Sequence, residues 1–267
     1  MNFKIVVFIF LILFFYGCNE NKNNSNEKRT LKMLSPFFKG ESAYENEILK
    51  IETDKNLTEV TSLNYINSNG KPFIVKGFVD NQMNLRKLIY GNTYDNGNES
   101  IITFYYIGSR KFASINEYTH SFENKFHKKI TKSFYDDSSK VFFSKFSNYN
   151  DQTNELTPFK KCKISSHDDS FALKIINQQG EFQTNFQGFT ENMGRYYLLL
   201  GTDNYTSAVA FSNLSGILKL LKDDEKKYLG RNLIVDFKIV TEANGFTYQE
   251  IKTVKFANWT NIYTSFY

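Results

Sequence analysis

The stretch that decides the fold is Ser215–Val240, which reads SGILKLLKDDEKKYLGRNLIVDFKIV. Its first part predicts a helix, because Ser215 can cap the start and Gly230 suits the left-handed position after a helix end. Apolar residues recur between them at helical spacing, namely Ile217, Leu218, Leu221 and Tyr228. Its second part predicts a strand, since apolar residues alternate along it and so share one face. That face carries Leu233, Val235, Phe237 and Ile239.

Strand patterns flank this stretch on both sides. Three strands are predicted before it, in the segments GEFQTNFQGFTEN, GRYYLLLG and SAVAFSN, and one after it, in FTYQEIKTVKF. In that last strand Ile251 breaks phase with Val254 and Phe256, which indicates a β-bulge. Three strands, a helix and two strands is the element order of the OB fold. The region Gly180–Trp259 is similar in this order to OB-like C-terminal domains of small bacterial lipoproteins. Another small barrel or a sandwich is the alternative.

The first half of the chain reads as short strands separated by turns. The predicted strands are EILKIET, EVTSLNYI, FIVKGFV, LRKLIYG and SIITFYYIG, starting from about Glu45. Asn-Gly pairs at residues 69–70 and 96–97 supply the positive φ angles of tight hairpin turns. The predicted fold class is therefore mainly β, with an N-terminal antiparallel β-meander followed by a small OB-like β-barrel with one helix.

Residues 114–130 fit two interpretations. Apolar residues recur there at helical spacing, yet the stretch can also be cut into two strands. A hairpin is expected next, around Asp136–Ser139, and the polar segment Asn148–Pro158 is the expected boundary between two regions. The predicted organisation is a signal peptide at 1–17, a tether at 18–44, the meander at 45–149 and the barrel at 158–267.

The N-terminus predicts export. Lys4 precedes the apolar run Ile5–Tyr16, which is too short to span a bilayer and is typical of a signal peptide. With Gly17 before Cys18, its end resembles the lipobox of bacterial lipoproteins, although aromatic residues stand at 15 and 16. The resemblance implies that the Cys18 thiol receives a diacylglycerol and that the mature chain starts there. An ordinary signal peptide or an uncleaved anchor is the alternative.

The segment after Cys18 suits a tether. Residues Asn19–Lys32 hold one aliphatic side chain and cannot bury enough surface to offset the entropy of ordering. The following Leu34–Phe38 is either the end of this tether or a small docking segment.

Composition gives little support for nucleic-acid binding. The net charge is +5, and removing Lys4 with the signal leaves 32 basic against 28 acidic side chains, or +4. These charges are interspersed rather than clustered. Aromatic residues are abundant, with 27 Phe and 17 Tyr, which suits a pleated sheet. The compartment that the lipobox implies also disfavours nucleic acid as a partner.

No residue set in the sequence identifies a reaction. If Cys18 carries lipid, Cys162 is a lone thiol, and His167 lies only five residues from it. The three histidines, His120, His127 and His167, show no metal-ligand spacing, so no metal or cofactor is expected. The acidic pairs Asp168-Asp169 and Asp223-Asp224 are interpreted as solvated surface, because neighbouring carboxylates do not face each other.

These observations favour a non-enzymatic binding or structural protein of the bacterial cell envelope. Its lipid would hold it on a membrane, the outer membrane if the cell has two, with an envelope protein or polysaccharide as partner. OB barrels bind ligands on strands two and three, where Tyr196 and Tyr197 form a tentative ligand face. The same tyrosines could be core residues. The alternatives are an envelope hydrolase acting on cell-wall polymer and a surface protein that blocks a toxin or foreign factor.

Overall fold

A computed structural model describes residues 37–94, 97–122, 125–150, 153 and 155–257 of the chain. The described residues are mainly β and fall within one compact unit, Ser35–Tyr267. The predicted signal peptide, Cys18 and the part of the predicted tether up to residue 36 lie outside them. None of the helices in the described ranges has the length and apolar character needed to cross a membrane.

The first sheet is a curled antiparallel meander. Its strands, in spatial order, are β1 (Thr58–Thr61), β4 (Val75–Val79), β5 (Leu85–Thr93), β6 (Glu99–Ile107), β7 (Arg110–Phe122), β8 (Lys125–Tyr135) and β9 (Val141–Asn150). Two short strands, β10 (Glu155–Leu156) and β11 (Lys160–Lys161), pair with β9. The predicted meander is therefore confirmed, and Glu155–Leu156, within the polar segment Asn148–Pro158, pairs with its last long strand.

The hairpin turns lie where the Asn-Gly and Asp-rich segments predicted them. The amide of Gly70 donates to Asn67 O at 2.9 Å and that of Gly97 to Tyr94 O at 3.0 Å. The hairpin between β8 and β9 turns at Asp136, whose carboxylate accepts the Ser138 amide at 2.9 Å. In the segment that fitted either a helix or two strands, residues 114–122 belong to β7 and residues 125–130 belong to β8.

The second sheet is the OB-like barrel. Its strands are β12 (Phe186–Asn192), β13 (Arg195–Gly201), β14 (Tyr205–Phe211), β15 (Leu233–Thr241) and β16 (Thr247–Phe256), in the spatial order β12-β13-β14-β16-β15. β14 and β16 run parallel, and β12 returns to the start of β15, where the Phe186 amide donates to Arg231 O at 2.8 Å. The expected bulge is present, because Phe237 pairs with Ile251 while Asp236 pairs with Thr253. This part of the fold class is confirmed.

The expected helix between β14 and β15 consists of two short helices, α3 (Gly216–Asp223) and α4 (Glu225–Tyr228). The helix is interrupted at Asp224, whose side chain accepts a hydrogen bond from the Lys227 amide and so caps the second helix. Ser215 occupies the cap position with extended dihedrals but makes no side-chain cap hydrogen bond. Gly230 has the expected positive φ of 76°.

The apolar face predicted for β15 is only partly buried. Leu233 is 1% and Val235 5% exposed, whereas Phe237 is half-buried and Ile239 is 49% exposed. The exposure of this predicted face therefore increases along the strand. The β-bulge next to Ile251 lies opposite Phe237, where the increase in exposure begins.

Two segments expected to be strands have other structures. EILKIET belongs to helix α1 (Glu41–Thr53), on which Tyr44, Ile48 and Ile51 share a buried face at helical spacing. The helix includes residues 41–44, which the sequence analysis assigned to the predicted tether. EVTSLNYI is split between β1 and β2 (Tyr65–Asn67), and β2 pairs with β3 (Pro72–Phe73) and with β14 of the barrel.

The two sheets share one hydrophobic core. A single cluster includes Leu88 and Phe104 of the meander with Phe186 and Leu198 of the barrel. Helix α2 (Ser170–Ile176) adds Ala172 and Ile175 to it, and a 3₁₀ turn (Gly180–Phe182) adds Phe182. A second cluster lies between α1 and the other face of the meander. The bounds of the two predicted regions stay a prediction. The two sheets nevertheless pack against each other through the same core cluster.

Candidate binding groove

A groove lies at one end of the barrel, where three strands and a helix meet. It encloses about 470 Å³, within the range of small-ligand sites. The residues that line it come from the end of β12, the start of β13, the end of β14, the loop after β14 and α3. They are Phe189, Thr190, Glu191, Tyr196, Phe211, Leu214 and Lys222, and they define what we call the barrel-end groove.

The pleat of β13 explains the position of Tyr196. Leu198 and Leu200 point to the same side of the strand and are fully buried. Tyr196 is on that side too, but it is the second residue of the strand and lies beyond the end of the core. Its side chain is 55% exposed. It is therefore a core-side aromatic residue that the core does not cover.

Aromatic rings form the wall of the groove. Tyr196 pairs across the sheet with Phe211, and their ring centroids lie 6.1 Å apart at an interplanar angle of 28°. Phe189 meets Phe211 edge to face, with centroids 5.6 Å apart and an angle of 72°. Offset and edge-to-face contacts of this kind stabilise the wall and fix its shape.

Two charges stand beside the apolar wall. The Lys222 ammonium lies 5.2 Å from the centre of the Phe189 ring and 2.6 Å from a Glu225 carboxylate oxygen. Glu191 is exposed near the end of β12. Apolar exposure continues at Leu214, 43% exposed, and at Met193 in the β12–β13 turn, 95% exposed. The groove is thus suited to an apolar or aromatic group.

Tyr197 points away from this groove. It shares the opposite side of β13 with Arg195, whose Nη1 lies 3.4 Å from the Tyr197 hydroxyl. Arg195 forms an ion pair with Glu242 and stacks over Tyr248, with 4.0 Å between the guanidinium carbon and the ring centre. The two tyrosines named from the sequence therefore do not form one face, because successive side chains on a strand point to opposite sides.

A buried polar network joins the meander to the chain before α2. Lys111 is 7% exposed, and its ammonium lies 2.8 Å from an Asp169 carboxylate oxygen and donates to His167 O at 2.6 Å. The Tyr106 hydroxyl donates to the other Asp169 oxygen at 2.7 Å. Burial and the Asp169 charge raise the pKa of Tyr106. The ion pair and its hydrogen bonds compensate for taking these charges out of water.

His167 belongs to the same network. Its Nδ1 lies 3.0 Å from Ser114 Oγ, and its backbone amide donates to the Tyr135 hydroxyl at 3.1 Å. Burial, with the positive charge of Lys111, lowers the pKa of the imidazole. Ser114 is 1% exposed and also contacts the Tyr135 hydroxyl at 3.0 Å. This serine is enclosed by its partners, so the serine–histidine contact is suited to holding the loop.

The other residues singled out in the sequence are dispersed. Cys162 is half-buried, and its amide donates to Ser144 O at 3.1 Å. Asp168 accepts the amide and hydroxyl of Ser170, and these hydrogen bonds lower its pKa. Asp168 and Asp169 thus bind different partners, as expected of neighbouring carboxylates that do not face each other. The expectation that Asp169 is solvated was wrong, because its carboxylate is paired with Lys111.

His120 and His127 face each other across β7 and β8. Within the ranges that the structure describes, no group of three or more His, Cys, Asp or Glu residues is placed to hold a metal ion.

Of the groove residues, the sequence pointed only to Tyr196. Phe189, Phe211 and Leu214 carry no signal beyond ordinary apolar patterning, because the groove exists only where the ends of three strands meet α3. Comparison with models of protein families, with curated proteins and with solved structures found no match to this chain.

Proposed function

We propose that this chain is a lipid-anchored, non-enzymatic binding protein of the bacterial cell envelope. The lipobox-like end of the apolar run, at Gly17 and Cys18, supports the anchor. Two acyl chains on Cys18 would hold the protein on a membrane, since each buried CH₂ contributes about 0.8 kcal/mol. The β-rich fold would then be presented at the membrane surface.

The barrel-end groove is the proposed binding site. The observation that carries this proposal is the exposure of Tyr196 on the core side of β13, against the ring of Phe211. An apolar group that fills the groove would cover both rings. We favour a protein side chain over a polysaccharide, because the groove offers few polar groups beyond Thr190, Glu191 and Lys222. Sugar recognition would need more hydrogen-bond partners.

Site-specific crosslinking in living cells tests this proposal. A photoreactive phenylalanine analogue replaces Tyr196 in the full-length protein, and the matched control places it at Tyr94, which is 45% exposed on the meander. We expect a discrete crosslinked partner from position 196 and none from position 94.

A second variant ties the crosslink to the groove. Leu214→Glu puts a charge in the apolar lining and should abolish the crosslink from position 196. A crosslink that survives Leu214→Glu, or one of equal yield from both positions, would show that the groove does not hold the partner.

A further inference from the structure

His120 and His127 form a cross-strand pair on the β7–β8 hairpin. They are direct register partners, and their imidazole centroids lie 5.1 Å apart with 22° between the ring planes. Tyr118 also stacks with the His120 ring, with 5.7 Å between centroids. The Tyr118 ring is held in turn, because its hydroxyl accepts a hydrogen bond from the Asn98 amide at 2.7 Å. His120 thus stacks with one ring on its own strand and one on the partner strand.

One ring nitrogen of His120 has no hydrogen-bond partner in the described part of the chain. The Nδ1 atom of His120 is buried, and no hydrogen bond to it is made within the described part of the chain. Leaving a buried polar atom unsatisfied costs about 1–3 kcal/mol. A stacked ring pair alone gives no reason to keep a nitrogen at this position, since phenylalanine would stack without that cost.

We propose that His120 and His127 bind a divalent late-transition-metal ion, such as Cu²⁺, Ni²⁺ or Zn²⁺, with water in the remaining coordination positions. Imidazole nitrogen is a preferred ligand for these ions. Metal–nitrogen bonds of about 2.0–2.1 Å require the two nitrogens to approach each other. Rotation about χ2, which is a broad torsion in histidine, would have to open the observed stacking to direct a nitrogen of each ring toward one ion.

The surroundings limit the strength of this site. Lys129 lies two residues from His127 on the same face, and its ammonium is held over the Phe146 ring at 5.0 Å. On the opposite face, Lys128 is paired with Glu117. A two-ligand site beside a lysine is expected to follow the general order of divalent affinities, with Cu²⁺ bound most tightly. Hard ions such as Mg²⁺, which prefer oxygen ligands, should not bind.

Metal titration of the full chain in detergent, without a histidine tag, tests the proposal. We expect one Ni²⁺ or Cu²⁺ ion per chain by calorimetry, with shifts of two histidine ring signals in the NMR spectrum. His120→Phe and His127→Phe keep a stacked ring and remove the ligand, so each should weaken binding at least tenfold. Binding should also weaken at acidic pH, because imidazole must be neutral to coordinate.

Two control variants locate the ion. Cys162→Ala removes the lone thiol among the described residues, and Tyr118→Phe keeps the stack without the hydroxyl. Both should bind the ion as the parent does. The proposal is overturned if no saturable binding occurs up to about 1 mM, a standard free energy of only about −4 kcal/mol. It is also overturned if the histidine variants bind normally, or if Cys162→Ala abolishes binding.

Discussion

Lys111 places a positive charge inside the fold and depends on one carboxylate. The side chains of Lys111 and Asp169 are 8% and 17% exposed. Asp169→Ala leaves that charge buried and unpaired, so it should lower the free energy of unfolding by about 3–5 kcal/mol in urea denaturation. Replacing both residues, as Lys111→Met with Asp169→Leu, should restore part of the loss.

The matched control for Asp169→Ala is an exposed ion pair. Lys76 and Glu59 lie 3.1 Å apart, with their side chains 48% and 42% exposed. Glu59→Ala should cost less than about 1 kcal/mol, because solvent screens such pairs. Equal losses from the two variants would mean that the Lys111 network is not enclosed in solution.

His167 should make stability depend on pH. Its pKa in the folded protein is lowered by burial and by Lys111, so the unfolded chain binds the proton more readily. This contribution is complete above the ordinary histidine pKa of about 6.5 and is lost as pH falls through the folded value. The free energy of unfolding should therefore decrease between pH 7.5 and pH 5.

A variant identifies the residue responsible. His167→Gln retains hydrogen-bonding groups near Ser114 but does not titrate, so its stability should fall less steeply over the same pH range. Parallel curves for the parent and the variant would assign the pH dependence to other groups. Asp168, whose pKa is lowered by Ser170, loses its contribution only at lower pH.

The sequence identified individual residues where one strand was enough to place them. Tyr196 could be found because GRYYLLLG reads as a barrel strand that carries two adjacent tyrosines. Lys111 could not, because its burial results from a bulge between β6 and β7 and from the later loop that carries Asp169. A lysine on a predicted strand is ordinarily solvated.

Among the elements, helix α1 is held by one face. Ile48 is 6% exposed, whereas its neighbour Leu49 is 61% exposed. Ile48→Ala should cost about 2–5 kcal/mol in urea denaturation, because it leaves a cavity against the meander. Leu49→Ala is the matched control, with the same helix and nearly the same side-chain size, and should cost well under 1 kcal/mol. Similar losses would contradict the assigned face.

Elements were predictable where one hydrophobic period fitted and ambiguous where two did. The barrel strands and the bulge at Ile251 follow from alternation and its interruption. The segment around EILKIET was misassigned because its helical period becomes visible only with Tyr44, which lies outside the quoted stretch. In residues 114–130 the apolar residues fit both periods, and pairing with β6 and β9 decides for strands.

At the scale of the whole molecule, the sheets are joined by a chain that changes sheet three times, after β1, after β3 and after β11. The Gln249 amide of β16 donates to Ser62 O at 2.9 Å, and its carbonyl accepts the Asn64 amide at 2.9 Å. Both partners lie between β1 and β2, where the chain leaves the meander for the barrel. Local patterns could not indicate this crossing, since the segment EVTSLNYI, which contributes to both strands, was predicted as one strand.

The proposed anchor makes a prediction for the intact precursor. Cys18→Ser removes the thiol that would receive the diacylglycerol, so labelling by fatty-acid analogues should disappear and the precursor should remain uncleaved by the lipoprotein peptidase. Cys162→Ser is the matched control and should be labelled and processed normally. Continued labelling of the Cys18 variant would end the lipoprotein interpretation.

The shared core predicts that the barrel region does not fold independently. Tyr65 of β2 is fully buried, and its hydroxyl donates to Phe182 O at 2.6 Å, so a chain of residues 158–267 lacks a core residue and the partners of Gln249. It also lacks the meander face that carries Leu88 and Phe104. Its total stability, of the order of 5–15 kcal/mol for a normal domain, should be largely lost.

Calorimetry and urea denaturation of two chains measure this effect. Residues 35–267, which span the compact unit, should unfold in one cooperative transition. Far-UV and near-UV circular dichroism should give the same midpoint. Residues 158–267 should show no sharp transition and should bind a hydrophobic dye, as loosely packed chains do. A cooperative transition of similar midpoint in the shorter chain would instead establish two separate domains, with the contacts between the sheets acting only as a docking interface.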